Sequence, residues 1–179
     1  NASEFAIIFK FIELRISIHS NFQEMVSYLA LLRGINVAGQ KLIKMDELRN
    51  IFANNNCLNV QTYIQTGNVI FDHHETDPVK LRRNIEAFLA SALGFQVPVI
   101  IRTLSEMQTV VSSNPYIENK ETDVKQIYIA YLERQPSKQE IEALQTATNE
   151  NEEAIVIGQE AWLFYRLGAG KAKLSNAIL

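Results

Sequence analysis

Apolar and polar positions along the first half of the chain follow two different periods. An unbroken apolar run at 26–32 is typical of a buried central strand. Apolar residues then recur at helical spacing over 45–52, with acids in the first turn, where the helix dipole favours them. Shorter runs at 60–65 and 68–72 predict two strands around a tight Thr66-Gly67 turn. The pattern therefore predicts a strand, a helix and a hairpin in that order.

Capping residues mark the next helix. Asp77 is a predicted N-cap with Pro78 at the first helical position, and Gly94 is the predicted stop. A strand is predicted at 97–102. The resulting order, β-α-β-β-α-β, is the split βαβ or ferredoxin-like plan.

The second half begins to repeat this order. Thr103 and Glu106 form one predicted capping box, and Ser137 and Glu140 form another. A hairpin is expected to turn at Gly158-Gln159, and Ser175 is expected to open a further helix. Strands are predicted over 124–132, 154–157 and 161–167. This half reads β-α-β-β-α and has no closing strand in the sequence.

We therefore predict an α+β protein of two ferredoxin-like (alpha-beta plait) halves, residues 25–103 and residues 104–179, the second incomplete. Residues 1–24 are expected to be an upstream or appended extension, with Met25 as the natural start. Charges interrupt each apolar stretch of this extension, which excludes a signal peptide and a membrane span. Its residues 7–18 could add a strand to an open sheet edge of the same or a neighbouring chain, which is a route to self-association.

Two glycine-containing segments supply the candidate site. A right-handed crossover makes the first two strands parallel, so the loop after the first strand and the hairpin tip share one sheet edge. Their guanidinium, amide, hydroxyl and backbone N–H groups could bind a phosphate, a carboxylate or a base edge. The alternative is that the glycines serve turns and the amides satisfy their own backbones. The candidate residues are Arg33, Asn36, Gln65, Thr66, Gly67 and Asn68.

Gly168-Ala169-Gly170-Lys171 offers a second candidate anion site, together with Lys173. The segment fails the phosphate-loop motif, because Tyr165 occupies the earlier glycine position and Ala172 the position of the magnesium-binding hydroxyl. No acidic residue occurs from Ala161 to the end of the chain. A solvated basic end and an anion site both fit this pattern.

Charge and composition limit the classes of partner. The net charge of −3 and pI of about 5.7 disfavour nucleic-acid binding through many phosphate contacts. A single cysteine, Cys57, excludes an internal disulfide and a cysteine zinc cluster, and it fits a reducing cytoplasm. His73 and His74 point to opposite faces of an extended chain, so we expect no metal there. The sequence also predicts no cofactor.

These motifs also carry a resemblance. Leu31 to Val37, Tyr63 to Phe71 and Lys173-Leu174-Ser175-Asn176 are similar to the bacterial domain-of-unknown-function family 1697. Members usually have glycine at Ala38, serine at Thr66 and phenylalanine at Tyr116, and they continue past Leu179 with a strand and a helix. The family has no settled activity, so the resemblance implies a fold and important positions rather than a reaction.

Three functions follow as hypotheses. The first is binding of a small anionic or nucleotide-like ligand at the edge that carries Arg33 and Asn68. The second is a nucleic-acid-binding module that uses the strand aromatics, such as Tyr28, Tyr63 and Phe71, to stack bases and the basic end of the chain to bind phosphates. The third is an enzyme acting on a phosphorylated metabolite, although no general base can be named from the sequence. Whether the protein is an enzyme is left open by the residues.

Overall fold

The protein is a mixed α+β structure with two antiparallel sheets. The computed structural model describes residues 25–37, 39–63, 67–116 and 123–174. Within them, residues 25–108 and 109–174 belong to two compact units, called here the N-terminal and C-terminal units. The helices and strands are β1 (Val26–Leu32), α1 (Met45–Ala53), β2 (Leu58–Tyr63), β3 (Asn68–His73), α2 (Pro78–Leu93), β4 (Val99–Thr103), α3 (Leu104–Ser112), β5 (Ile127–Tyr131), α4 (Lys138–Thr146), β6 (Glu152–Ile157) and β7 (Glu160–Tyr165).

The sheet of the N-terminal unit has the strand order β2-β3-β1-β4. β1 is antiparallel to both β3 and β4, and β2 is antiparallel to β3. Because β1 and β2 are each antiparallel to the strand between them, they run in the same direction. The end of β1 and the end of β2 therefore meet at the same edge, as the sequence pattern predicted.

One face of this sheet, together with α1 and α2, forms the core of the N-terminal unit. Alternate residues of β1 and β3, such as Tyr28 and Phe71, are fully buried against helical residues such as Phe52 and Ile85. The rings of Phe52 and Phe71 meet edge to face with centroids 5.4 Å apart. Complete burial of side chains of this size contributes roughly 1.5–3 kcal/mol each and holds the helices on the sheet.

The predicted capping residues end α2 as expected. The Asp77 carboxylate accepts hydrogen bonds from the backbone N–H groups of Val79 and Lys80 at 2.8 and 3.3 Å. Pro78 is the first helical residue, and Gly94 closes the helix in the left-handed conformation with φ 77°. These contacts satisfy backbone groups that a helix terminus otherwise leaves without partners.

The C-terminal unit contains the sheet β5-β7-β6, in which both pairs are antiparallel. Leu144 of α4 packs with Leu163 and Tyr165 on one face of the sheet. On the other face Trp162 and Phe164 pack with partly buried β5 side chains. The predicted alternation along β5 is therefore confirmed, because Ile127, Ile129 and Tyr131 share this second face.

Several predicted strand boundaries are wrong. β2 begins at Leu58 instead of residue 60, and β4 spans Val99–Thr103 instead of residues 97–102. Residues 124–126 form a 3-10 turn instead of the start of a strand, because the Asp123 carboxylate accepts the Lys125 N–H at 2.9 Å. β6 begins at Glu152, two residues early, and β7 ends at Tyr165, before the predicted limit of 167. The predicted strand in residues 7–18 and the predicted helix from Ser175 lie outside the described residues. No helix among the described residues is long and apolar enough to cross a bilayer.

Candidate functional site

The turn into β3 and the loop after β1 are fitted together at one glycine. Gly67 has φ 88° and its carbonyl accepts a hydrogen bond from the Leu32 N–H at 3.3 Å. A Cβ on Gly67 would collide with the Ile35 side chain and would lie 3.0 Å from the Leu32 Cβ. Any other residue would therefore be both strained and too large at position 67. This contact brings the Arg33 loop onto the hairpin, as the topology predicted.

Arg33 lies exposed where β1 ends, and its backbone N–H donates to the Pro98 carbonyl at 2.9 Å. Asn68 is half-buried at the start of β3 and pairs across the sheet with Leu31. Arg33, Gly67 and Asn68 thus share one end of the sheet. The other two predicted residues of the hairpin tip, Gln65 and Thr66, lie outside the described residues.

Asn36 has a structural task within the loop. Its Oδ1 accepts the Ile43 N–H at 2.8 Å and its Nδ2 donates to the Ile43 carbonyl at 3.1 Å. The residue adopts φ 53°, a left-handed conformation that asparagine tolerates better than most residues. The amide therefore closes the loop on its own backbone, which was the alternative stated for it; a ligand contact by Asn36 stays a prediction.

Lys41 is a cation at this edge that the sequence reasoning missed. Its ammonium donates to the Gln96 carbonyl at 3.0 Å and lies 5.2 Å from the centre of the Phe95 ring. The same segment supplies Pro98, which accepts the Arg33 N–H. We call the surface formed by Arg33, Gly34, Lys41, Gly67 and Asn68 the loop edge. Lys41 belongs to it through contacts across 55 residues of sequence, a distance at which no local motif gives a signal.

The chain segments that meet at the loop edge carry no acidic residue. Residues 25–44 contain Arg33, Lys41 and Lys44, and residues 63–71 and 94–101 contain no charged residue. All three cations are exposed. The Glu86 carboxylate of α2 reaches the last of these segments, where it accepts the Val99 N–H at 3.0 Å and forms a salt bridge with Arg82. The charges that the three segments themselves contribute are all positive, on a chain whose net charge is negative.

Lys171 and Lys173 lie elsewhere, in the C-terminal unit. Both are exposed, and Lys171 ends a short 3-10 turn at Ala169–Lys171. They border a cleft of about 370 Å³ together with residues of the segment that precedes β6. The basic end also has acidic neighbours that follow from the fold, because Arg166 forms a salt bridge with Glu153 on the adjacent strand.

Two strand aromatics proposed to stack bases are closed to any ligand. Tyr28 and Phe71 are both 0% exposed and stack on each other with centroids 5.8 Å apart. The Tyr28 hydroxyl donates to the Glu75 carbonyl at 2.8 Å. The base-stacking interpretation is therefore wrong for these two residues, which pack in the core.

A buried carboxylate is a further polar feature that sequence reasoning missed. Asp72 is 0% exposed and accepts hydrogen bonds from the Ser27 hydroxyl at 2.5 Å and from the Asn59 amide at 2.7 Å. Asn59 adopts φ 50° at an irregularity in the β2–β3 pairing. Charge-assisted hydrogen bonds of this kind offset the cost of burying a carboxylate, and here they also hold the irregular backbone.

The environments of Cys57 and His73 favour structural roles over catalytic ones. Burial raises the pKa of the Cys57 thiol to about 12, so the nucleophilic thiolate is not formed at neutral pH. The His73 Nδ1 accepts the Glu75 N–H at 2.8 Å, and burial lowers the pKa of its imidazole. The imidazole nitrogen therefore serves the turn that follows β3.

The fold is that of an α+β protein in which the loop after β1 and the turn into β3, which carry the first two sequence motifs, meet at one sheet edge. The sequence profile described as "Protein of unknown function (DUF1697)" matches residues 25–162. The chain belongs to this family, as its motifs predicted. No curated protein matches the sequence.

The chain is also similar to a solved structure described as the conserved bacterial protein SP0830 from Streptococcus pneumoniae. The two sequences are 23% identical, and the superposition covers 79% of this chain and 78% of that chain with a TM-score of 0.66. At this level of identity the likeness shows the fold alone.

Proposed function

We propose that this protein binds a small anionic ligand, phosphate-bearing or nucleotide-like, at the loop edge of the N-terminal unit. The observation that carries the proposal is the meeting of three acid-free segments around the exposed Arg33. A guanidinium can bind a phosphate or carboxylate with two parallel hydrogen bonds, which fixes both position and orientation.

Rigid packing beneath Arg33 supports the proposal. Ile35 is 2% exposed and fills the space above Gly67, while Asn36 closes the loop that follows. A loop held in this way loses little conformational entropy when a ligand binds, so more of the interaction energy appears as affinity. Asn68 pairs across the sheet with Leu31, two residues before Arg33, and we propose that its amide contacts a neutral part of the same ligand.

Replacing Arg33 by alanine tests this proposal. Arg33 is exposed, so Arg33→Ala should change the free energy of unfolding by no more than about 0.5 kcal/mol. Affinity for the ligand should fall about tenfold or more, since a hydrogen bond to a charged group contributes roughly 1.5–3 kcal/mol. Titration calorimetry with inorganic phosphate, ribose 5-phosphate and adenosine monophosphate measures the affinities.

Arg83→Ala is the matched control, because Arg83 is an exposed arginine on α2 of the same unit. It removes the same charge away from the loop edge and should leave binding unchanged. A large loss of stability in Arg33→Ala without binding of any probe to the unaltered protein would reject the proposal. Turnover of a phosphorylated probe would favour the enzyme hypothesis instead.

We also propose that each unit is a ferredoxin-like plait and that the protein works in the cytoplasm. The order β2-β3-β1-β4 with the connection β-α-β-β-α-β supports the first statement for the N-terminal unit. The order β5-β7-β6 is the same arrangement without the fourth strand. The buried Cys57, the only cysteine, is compatible with a reducing compartment.

A further inference from the structure

A cleft of about 370 Å³ opens in the C-terminal unit between the segment before β6 and the segment after β7. Its walls include Glu150, Glu152, Leu167, Lys171 and Lys173. The volume is in the range of small-molecule sites, which hold one ligand of nucleotide or sugar-phosphate size. It is too small for a duplex or a folded partner.

A buried carboxylate fixes the wall that carries the lysines. Glu152 is 4% exposed, and its two oxygens accept the backbone N–H groups of Lys173 at 2.5 Å and Leu174 at 3.2 Å. The Tyr165 hydroxyl donates to the Leu174 carbonyl at 3.4 Å. The backbone N–H of Lys173, and with a smaller effect that of Leu174, lowers the pKa of Glu152, so the carboxylate is ionised and its charge is stabilised within the protein. The segment 171–174 is therefore tied to the sheet.

Lys171 and Lys173 are the two cations among the residues that line the cleft. Lys171 and Lys173 are exposed, and neither ammonium forms a hydrogen bond or salt bridge with any residue that the structure describes. Two lysines separated by one residue can bind the same dianionic group as point charges. The neighbouring Glu150 carboxylate can accept hydrogen bonds from hydroxyl groups but would repel a second anion.

An apolar side chain completes the cleft. Leu167 is 58% exposed, a large fraction for leucine, and it lies beside the same opening. A ligand that covers Leu167 gains affinity from the apolar surface that leaves water. The walls thus combine a place for an anion, acceptors for hydroxyl groups and a small apolar surface.

We infer that this cleft binds a phosphorylated sugar or mononucleotide, with the phosphate on Lys171 and Lys173 and the less polar part against Leu167. The site is independent of the loop edge, because each lies within one unit. Glu152 is a positioning residue, since it acts on the ligand only through the segment that it holds.

Nuclear magnetic resonance titration of the full chain tests the inference, with ribose 5-phosphate, adenosine monophosphate, adenosine and inorganic phosphate as probes. We expect the phosphorylated probes to shift the amide signals of residues 149–152 and 167–173. Adenosine, which lacks the phosphate, should bind at least about tenfold more weakly. Equal affinities for inorganic phosphate and ribose 5-phosphate would show that the sugar adds nothing to binding, which would contradict the assigned ligand class.

The double variant Lys171→Ala/Lys173→Ala should weaken binding of both phosphorylated probes about tenfold or more, and Lys138→Ala, an exposed lysine of the same unit, should not. Glu152→Gln should weaken binding less than the double lysine variant does, and it should broaden the amide signals of residues 171–174. Arg33→Ala should leave these shifts unchanged while it removes any shifts at the loop edge, so the two sites fail separately. Absence of shifts in the cleft at probe concentrations of about 10 mM, or shifts insensitive to the lysine variants, would overturn the inference.

Discussion

Gly67 combines a backbone requirement with a packing requirement. A side chain there would adopt φ 88° and would collide with Ile35. Gly67→Ala should therefore lower the free energy of unfolding by about 2–6 kcal/mol, from backbone strain of about 1–3 kcal/mol and overpacking of similar size. Thermal and chemical unfolding measure the change.

Gly94→Ala is the control that separates the two causes. Gly94 has a similar φ of 77°, but a Cβ there would meet nothing within 4 Å. Its substitution should cost about 1 kcal/mol from backbone strain alone. Equal losses in the two variants would show that the contact between Gly67 and Ile35 has no energetic weight.

Tyr116 is a buried tyrosine whose hydroxyl meets no partner among the residues that the structure describes. The residue is 8% exposed, its ring packs 5.6 Å from that of Phe164, and its hydroxyl has no hydrogen-bond partner among the described residues. Burial raises the pKa of this hydroxyl to about 12. Tyr116→Phe should raise the free energy of unfolding by about 1 kcal/mol, because an unpaired buried hydroxyl costs about 1–3 kcal/mol.

Tyr165→Phe provides the comparison for Tyr116. The Tyr165 hydroxyl is buried and donates to the Leu174 carbonyl at 3.4 Å, so its removal should lower the free energy of unfolding by about 0.5–1.5 kcal/mol. Opposite shifts of the melting temperature are therefore expected for the two variants. A loss of stability in Tyr116→Phe would show that its hydroxyl is paired in solution.

The start of α4 makes part of the stability dependent on pH. Glu140 closes the capping box with Ser137 and forms a salt bridge with Arg134. The Arg134 guanidinium, followed by Ser137, lowers the pKa of Glu140 to about 2. An unfolded glutamate titrates near about 4.3, so this contribution is complete above that pH and is lost as the pH falls towards 2.

Glu140→Gln tests this pH dependence. The variant should be less stable than the unaltered protein at pH 7, and the difference should shrink as the pH is lowered from about 5 to about 2. Because the pair is exposed, the effect should be modest and should decrease with added salt. A difference that stays constant over this pH range would contradict the assignment.

Local signals predicted the elements well, and non-local contacts explain what was missed. The caps at Asp77, Ser137 and Gly94 act within a few residues, so the sequence reveals them. The alternation of apolar residues predicts a strand from Val124, but the bond from the Lys125 N–H to the Asp123 carboxylate forms a 3-10 turn at Val124–Gln126. Asp72 could not be predicted as a buried hydrogen-bonded group, since Ser27 is 45 residues away.

For the candidate site, too, the sequence predicted the backbone arrangement but not the non-local side-chain contacts. Topology alone placed the Arg33 loop beside Gly67, because strand direction follows from the right-handed crossover. The sequence could not show that the Asn36 amide bonds the Ile43 backbone or that the Lys41 ammonium bonds the Gln96 carbonyl. Both contacts depend on the path of the loop in the folded protein. Residue types indicate which groups can bind an anion, but they do not show which of these groups form hydrogen bonds within the protein instead.

The two anion sites that we propose lie in different units. The loop edge lies in the N-terminal unit, and the cleft of Lys171 and Lys173 lies in the C-terminal unit. Each is rigid for a different reason: the first through the contact of Ile35 with Gly67, and the second through the Glu152 carboxylate. The proposed anion binding is local, so it is compatible with a net charge of −3, which disfavours general binding of nucleic acids.

A crystal structure of the protein grown with adenosine monophosphate tests the central proposal most directly. We predict a phosphate group within hydrogen-bond distance of the Arg33 guanidinium, between Arg33 and Asn68, and its absence from Arg33→Ala crystals grown in the same way. Crystals of Arg83→Ala should retain it. A loop edge that stays empty at saturating ligand, in a crystal form where neighbouring molecules leave Arg33 accessible, would contradict the proposal.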